Sequence, residues 1–431
     1  MISGVPHLIT ALKGPLLRLE EHLLKQQVQV ESWLREQWLA TPAPFYASVD
    51  LRNAGFKLAP VDTNLFPAGF NNLNADFMPL CIQAVQSAVE RVCPRARKVL
   101  IVAENHTRNL FYLESIETLR HIFEQAGLEA RIGSLRDDIE APLDIELPSG
   151  KTCHLEPLTR TGNRIAVGEF SPCLVLLNND LSGGRPAILE GLEQEVTPPL
   201  VAGWSDRKKS DHFTHYQAVA EEFAQQIDID PWLVYPLSLQ CGEVDFRDKN
   251  GSECLARNVS EMLIAIQKKY DEYGIDKEPF VIVKADSGTY GMGIMTVKSA
   301  DEMMRLNRKQ RSKMASGKEG LVVENVLVQE GVYTFETLGE EQAVAEPVVY
   351  MMDHFVIGGF YRVHTGRGVN ENLNAPGMHF EPLAFSEPCN TPDKKGMPDA
   401  EPNRFYAYGV IARLALLAAA RELASTKVSK Y

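Results

Sequence analysis

The sequence predicts an α/β protein: a doubly wound parallel-sheet domain in the N-terminal part, followed by a separate α+β unit. Three observations predict it. Short apolar runs alternate with helical periods between residues 98 and 179, the pattern of strands joined by crossover helices. A β-branched run at 280–284 ends in a lysine, passes through a glycine-containing loop and resumes at 295–297, which reads as an antiparallel hairpin. With 431 residues, 45% of them apolar, the chain is long enough for about three units with packed cores.

Taken in order, residues 7–39 have helical spacing, with Leu8, Leu12, Leu16, Leu19, Leu23, Val30, Trp33, Leu34 and Trp38 recurring every three or four positions. Gly14 and Pro15 should split this arm into two helices, which pack on the body or pair subunits. Beyond the Pro-containing link at 42–44, Lys98–Ala103 reads as a buried strand, 109–126 as a helix closed by Gly127, 128–135 as the next strand and 173–179 as another. The alanine- and leucine-rich stretch 404–425 reads as a terminal helix without chemistry.

Open parallel sheets bind ligands beyond the carboxyl ends of their strands, so the residues after each strand carry weight. Glu104, Asn105, Arg108 and Asn109 follow the first strand, and Asn178, Asn179 and Asp180 follow a later one. A third polar cluster holds Asp62, Asn64, Asn71, Asn72 and Asn74. Asn-rich loops are often only turns, because the side chain bonds its own backbone. Three such clusters together suit a zwitterionic amino acid, whose carboxylate favours bidentate arginine and whose ammonium needs acceptors. Arg207, with Lys208 and Lys209, could steer an anion or sit in a solvated turn.

The stretch 280–297 carries the strongest signal. Glycines 288, 291 and 293 let backbone N–H groups approach an anion without hindrance from Cβ. It is neither a P-loop nor a dinucleotide fingerprint. A second β-branched run at 326–328 ends in Gln329 and Glu330 and turns at Gly331. A lysine-ended strand, a glycine-rich hairpin and a strand ending in Gln-Glu resemble the nucleotide site of the ATP-grasp superfamily. That resemblance implies an ATP-grasp-like nucleotide-binding domain. Lys284 would contact the phosphates, Ser287, Gly288, Thr289, Tyr290, Gly291 and Gly293 would cover them, and Gln329, Glu330 and Val332 would line adenine and ribose.

ATP-dependent ligases need Mg²⁺ between the β- and γ-phosphates, and the ion takes carboxylate and amide oxygens. Glu371, Asn372 and Asn374 offer such a set, while Glu336, Glu346, Asp353 or the Glu401/Asn403 pair could equally supply the acid. Arg362, on a predicted strand, would stabilise the transferring phosphoryl group.

Six segments taken together, 57–74, 101–109, 177–186, 203–213, 283–294 and 367–383, resemble a proteobacterial family of glutamate-cysteine ligases. The resemblance implies the first step of glutathione synthesis: ATP phosphorylates the γ-carboxylate of L-glutamate, and the amine of L-cysteine displaces phosphate to give γ-glutamylcysteine. Nothing in the residues themselves demands a thiol-bearing substrate. Another ATP-grasp carboxylate-amine ligase, similar to glutathione synthetase, is the alternative enzyme, and a non-catalytic nucleotide-binding regulator the alternative class. The expected division is a helical arm at 1–45, a substrate-binding domain at 46–214 and a catalytic domain at 215–431.

The formal charge of −13 disfavours nonspecific contact with nucleic acid or an anionic membrane. No run of apolar residues is long enough to span a bilayer and no signal peptide is evident, so a cytoplasmic location is expected. Cys81, Cys93, Cys153, Cys173, Cys241, Cys254 and Cys389 are odd in number and never form C-x-x-C, which argues for reduced thiols and against a zinc site. The expected partners are small-molecule substrates and, for the subunit, a homo-oligomer.

Overall fold

A computed structural model of the chain describes all residues except 1–7, 10–13, 106–107, 243, 247–250, 289–292, 316–322, 324, 384–403 and 429–431. Its first sheet has six strands in the order Glu195–Thr197, Leu174–Asn178, Lys98–Ala103, Glu129–Ser134, Thr152–Pro157 and Leu143–Glu146, all parallel except the last. Its central strands are apolar on both faces because both are covered. Val99 and Ile101 pack toward the helices Met78–Val92 and Leu110–Gln125, whereas Leu100 and Val102 pack toward the helix Lys209–Ile227. The expected strands and crossover helix at 98–134 and the strand at 174–178 form within a residue or two of their anticipated limits.

A second, antiparallel sheet of four strands runs Ser238–Cys241, Val326–Glu330, Val281–Ala285, Ile294–Val297. Alternation sorts its residues. Val281, Val283, Ala285, Val326 and Val328 pack on the helix Ser252–Tyr273. Ile282, Lys284 and Gln329 are left to the other face, as a period of two requires.

The third sheet departs from the expected linear division. Its long strands Ala343–Met352 and Phe355–His364 form a hairpin, and the strand Tyr46–Asn53, expected in the domain 46–214, pairs with Ala343–Met352 and with Leu58–Asn64. The helix Lys209–Ile227 also runs across the anticipated boundary at 214/215. Residues separated by nearly 300 positions are therefore neighbours, as in the Val348–Asp50 pairing. Chain order does not encode such pairings.

The N-terminal arm is two helices, but Gly14 and Pro15 start the first one, Pro15–Lys25, and the break falls at Gln26 before Gln27–Ala40. Residues 8–9, read as helix, form a short strand beside Thr337–Leu338. The arm lies on the body: the Trp33 and Phe223 rings meet at 5.5 Å, tilted by 55°, and Arg413 bonds both oxygens of Glu31 at 2.8 Å. The terminal helix Arg404–Val428 is central, packed on Lys209–Ile227 and on the strands Tyr46–Asn53 and Leu58–Asn64. Six cysteines are free thiols, and Cys389 lies outside the described residues.

Candidate active site

A cleft lies between the second and third sheets. One wall is the lysine strand Val281–Ala285 with its partner Val326–Glu330, which present Ile282, Lys284 and Gln329. The opposite wall is the face of the third sheet that carries Asp50, Arg52, Asp62, Glu346 and Arg362. Register explains that grouping: Asp50 is paired with Asp62, Glu346 with Arg362, and Asp50 and Arg52 stand two apart on one strand. Asn372, Asn374, Lys209, Gly288, Ile294 and Val332 also line it, with Val61, Ala285 and Glu330.

The polar wall is a chain of charge-assisted bonds. Arg362 donates from Nη1 to Asp50 Oδ2 at 2.9 Å and to Glu346 Oε1 at 2.5 Å. Arg52 donates from Nε to the other oxygen of Glu346 at 3.1 Å and from Nη2 to the Glu371 carbonyl at 2.6 Å. Burial works against the Arg362 charge, and the two flanking carboxylates outweigh it. Burial raises the pKa of Asp50, with Arg362 opposing and Glu346 and Asp62 adding to the rise.

Across the cleft, Lys284 is buried and donates to the Val61 carbonyl at 2.7 Å and to Gln329 Oε1 at 2.8 Å. Burial, aided by the Lys209 charge and resisted by Asp62, pushes its ammonium down to about 7. Lys209 reaches Asp62 Oδ1 at 2.7 Å and lies 4.2 Å over the Trp204 ring. Burial alone would raise the Asp62 carboxyl, but Lys209 and Lys284 hold it at about 2. Two buried donors of the cleft lining have no protein partner among the described residues: Gln329 Nε2 and Arg362 Nε. Gln329 is 2% exposed, so its amide N–H is a buried donor that a ligand oxygen could satisfy.

The sequence-based expectations distribute unevenly. Lys284, Arg362, Gly288, Gln329, Val332, Asp62, Asn372 and Asn374 all line the cleft. Thr289, Tyr290 and Gly291 lie outside the described residues, Ser287 is exposed, and Gly293 closes the hairpin at φ +62°, where glycine is favoured. Glu330 also borders the cleft, but its carboxylate is sealed behind it, bonded to Lys57 at 2.8 Å, to Trp232 Nε1 at 3.1 Å and to the Leu237 N–H at 3.0 Å. That carboxylate has no reach toward a ribose. Glu371 is turned outward, its oxygens taken by Arg367 at 2.9 Å and the Gly368 N–H at 2.7 Å, which lower its pKa. The set Glu371, Asn372 and Asn374 therefore does not converge on one ion, and among the described residues no three acids, histidines or cysteines do.

Glu104, Asn105 and Asn179 line a different cavity of about 690 Å³ at the carboxyl ends of the parallel strands, which shares no lining residue with the cleft. Arg108 is exposed and lines neither. Asn178 is an internal bracket, bonding Tyr46 and the Pro67 carbonyl at 2.9 Å. Asn64 bonds Phe66 N–H in its own turn, and Asn71 and Asn72 belong to the short 3₁₀ turn Phe70–Asn72. Arg207 is a buried staple with Nε and Nη2 on Glu422 at 2.8 and 3.0 Å and Nη1 on the Thr63 carbonyl, so it has no fork to offer a substrate. The supposedly inert terminal helix thus anchors the 203–213 segment.

Asp50 and Arg52 are cleft residues that the sequence reading missed, while Lys209 entered it only within a basic triplet that could steer an anion and Glu346 only as one alternative acid for the metal. A signal existed at 49–53, where charged Asp50 and Arg52 alternate with Val49 and Leu51: charges two apart on an otherwise apolar strand mark a face turned toward a polar site.

Comparison with known proteins gives three findings. The family model described as glutamate-cysteine ligase matches residues 20–423. A crystal structure from Methylobacillus flagellatus KT, assigned as a gamma-glutamylcysteine synthetase, is 64% identical, superposes with a TM-score of 0.91, and the match covers 98% of this chain and 99% of that one. A glutathione synthetase-like effector from Globodera pallida (10% identity, TM-score 0.33, 85% of this chain and 81% of that one) and D-alanyl-alanine synthetase A from Vibrio cholerae (11%, 0.34, 74% and 80%) are too distant to carry an argument. Among curated proteins there is no match. On the family match and the close relative, the chain is a ligase and belongs to the glutamate-cysteine ligase family.

Proposed function

We propose that the cleft between the second and third sheets is where ATP phosphorylates the γ-carboxylate of L-glutamate and where the amine of L-cysteine then displaces phosphate from the acyl phosphate. The observation that carries this reading is the opposition of Lys284 and the unpartnered Gln329 amide on one wall to Arg362 and Arg52 on the other. Cations and a buried donor on both sides of one cleft suit a reaction in which negative charge moves between two phosphate-bearing species. Ile282, Ile294 and Val332 supply the apolar lining a purine needs. The backbone at Gly288 (φ +92°) can approach the phosphates closely. Two antiparallel sheets facing each other across a nucleotide would be an ATP-grasp-like arrangement.

In this reading Lys284 holds the phosphates and Arg362 meets the charge that develops as the γ-phosphoryl group moves. Mg²⁺ would neutralise the phosphates, but the expected ligands Glu371, Asn372 and Asn374 do not fit it, since the Glu371 carboxylate faces Arg367. The cavity holding Glu104, Asn105 and Asn179 shares no lining residue with the cleft. A cytoplasmic setting, where ATP and reduced cysteine are both supplied, fits this chemistry.

The test is to incubate the purified protein with Mg²⁺-ATP, glutamate and cysteine, omit each amino acid in turn, and measure phosphate release and product mass. Phosphate dependent on both amino acids, with γ-glutamylcysteine formed, is the expected result. Turnover only with another amino-acid pair would keep the mechanism and change the substrates, and ATP binding without turnover would leave a regulator.

A further inference from the structure

The cysteine amine is protonated near neutrality and must lose a proton before it can attack, so the cleft needs an acceptor for it. Six carboxylates border or adjoin the cleft, and their partners separate them. Asp286 has one oxygen on the Ser210 N–H at 2.7 Å and the other on the Ser210 hydroxyl at 2.8 Å and Gln240. Glu330 is closed off by Lys57, Trp232 and Leu237. Glu346 has one oxygen on Arg362 and the other on Arg52. Asp62 is held as a carboxylate at about 2 by Lys209 and Lys284, too weak a base to keep a proton. Glu371 faces Arg367 on the outside.

Asp50 is different. Among the described residues its one hydrogen-bond partner is Arg362, on Oδ2, and its side chain is 23% exposed, into the cleft it lines. We propose that Asp50 is the catalytic base that takes the proton from the attacking cysteine amine, an assignment that rests on the function proposed above. The groups that face it are Arg362, Glu346 and Tyr350 from the long hairpin, Asp62 from the neighbouring strand and Lys284 across the cleft. Burial together with Glu346 and Asp62 raises its proton affinity, the direction a base for an ammonium requires. The unpartnered donors Gln329 Nε2 and Arg362 Nε independently mark this cleft as a place for ligand oxygens.

The step balances as follows. The ammonium gives one proton to Asp50, and the nitrogen lone pair forms the C–N bond at the acyl carbon. The C–O bond to the phosphoryl group breaks, its electron pair leaving with inorganic phosphate. The second amine proton goes to the departing phosphate, and Asp50 returns its own to solvent.

The experiment compares cysteine with hydroxylamine as acceptor in the wild type and in Asp50→Asn. Hydroxylamine is already neutral near pH 7 and needs no base, so it traps the acyl phosphate directly. Asn should cut γ-glutamylcysteine formation by roughly 100-fold or more. It should lower hydroxamate formation far less, and the deficit with cysteine should shrink as pH rises and solution deprotonates the amine. ATP binding of the variant checks that it is folded, and Asp50→Glu should recover part of the cysteine rate. Equal losses with both acceptors, or a deficit independent of pH, would overturn the assignment and place Asp50 in phosphoryl transfer or in supporting Arg362. Absence of glutamate-dependent ADP formation in the wild type would instead overturn the proposed reaction, and this assignment with it.

Discussion

Lys284 is the residue on which the proposed nucleotide site turns. It is buried, bonded to a carbonyl and an amide, and depressed to about 7, so near pH 8 most of the free protein holds it neutral. Phosphates arriving beside it would favour the charged form. ATP binding at pH 8 should therefore take up a proton, seen as a calorimetric heat that changes with the ionisation enthalpy of the buffer. Lys284→Met should remove that buffer dependence and lower turnover by roughly 100-fold, as losing one transition-state donor does. Unchanged kinetics would take the phosphates away from this strand.

At the scale of elements, two contacts hold the cleft walls in place. The hairpin of the third sheet is so close at Gly359 that a Cβ there would stand 2.3 Å from the Val348 carbonyl oxygen, which is backbone and cannot swing aside. Gly359→Ala should cost about 1–3 kcal/mol in urea unfolding and weaken the Glu346–Arg362 pairing three residues away. The other contact is the buried trio of Arg207, His212 and Glu422, joining the start of the helix Lys209–Ile227 to the terminal helix. Removing the acid strands the buried Arg207 charge and takes the partner from His212, whose imidazole burial pushes toward the neutral form, so Glu422→Ala should cost about 3–5 kcal/mol. Burial would raise the Glu422 carboxyl, but Arg207 and His212 hold it at about 2, below its ordinary 4.5. A depressed acid stabilises the fold above its unfolded pKa and loses that contribution as pH falls through its folded one. Between pH 4.5 and 2 stability should fall, and Glu422→Gln should flatten the slope.

For the whole molecule, the strand pairing argues that the two halves are interdependent. The strands Tyr46–Asn53 and Leu58–Asn64 belong to a sheet otherwise built from residues beyond 336, apart from the Leu8–Ile9 strand, and the terminal helix packs on both strands. Fragments cut at 214/215 should each lack native near-ultraviolet circular dichroism, and mixing them should restore it only if the third sheet reassembles. Two independently folded fragments would contradict the account of the fold given above.

What the sequence determined by itself was local. Short apolar, often β-branched runs set the strands 98–103, 174–178, 281–285 and 326–330, and a lysine at a strand end beside glycines marked the wall proposed for the nucleotide, because these signals live within one element. The resemblance carried by six segments reached the family to which the chain belongs. The tertiary structure decided which polar residues share a space. It moved Glu371 and the Glu330 carboxylate out of the cleft, turned Arg207 into a staple, left Glu104 and Asn179 in another cavity, and set Asp50 against Arg362 across 312 positions. The reason is physical: a side chain's role depends on who neutralises it, and the partners of Glu330, Arg207 and Asp50 come from strands and helices hundreds of residues away, where register and packing, not spacing, bring charges together.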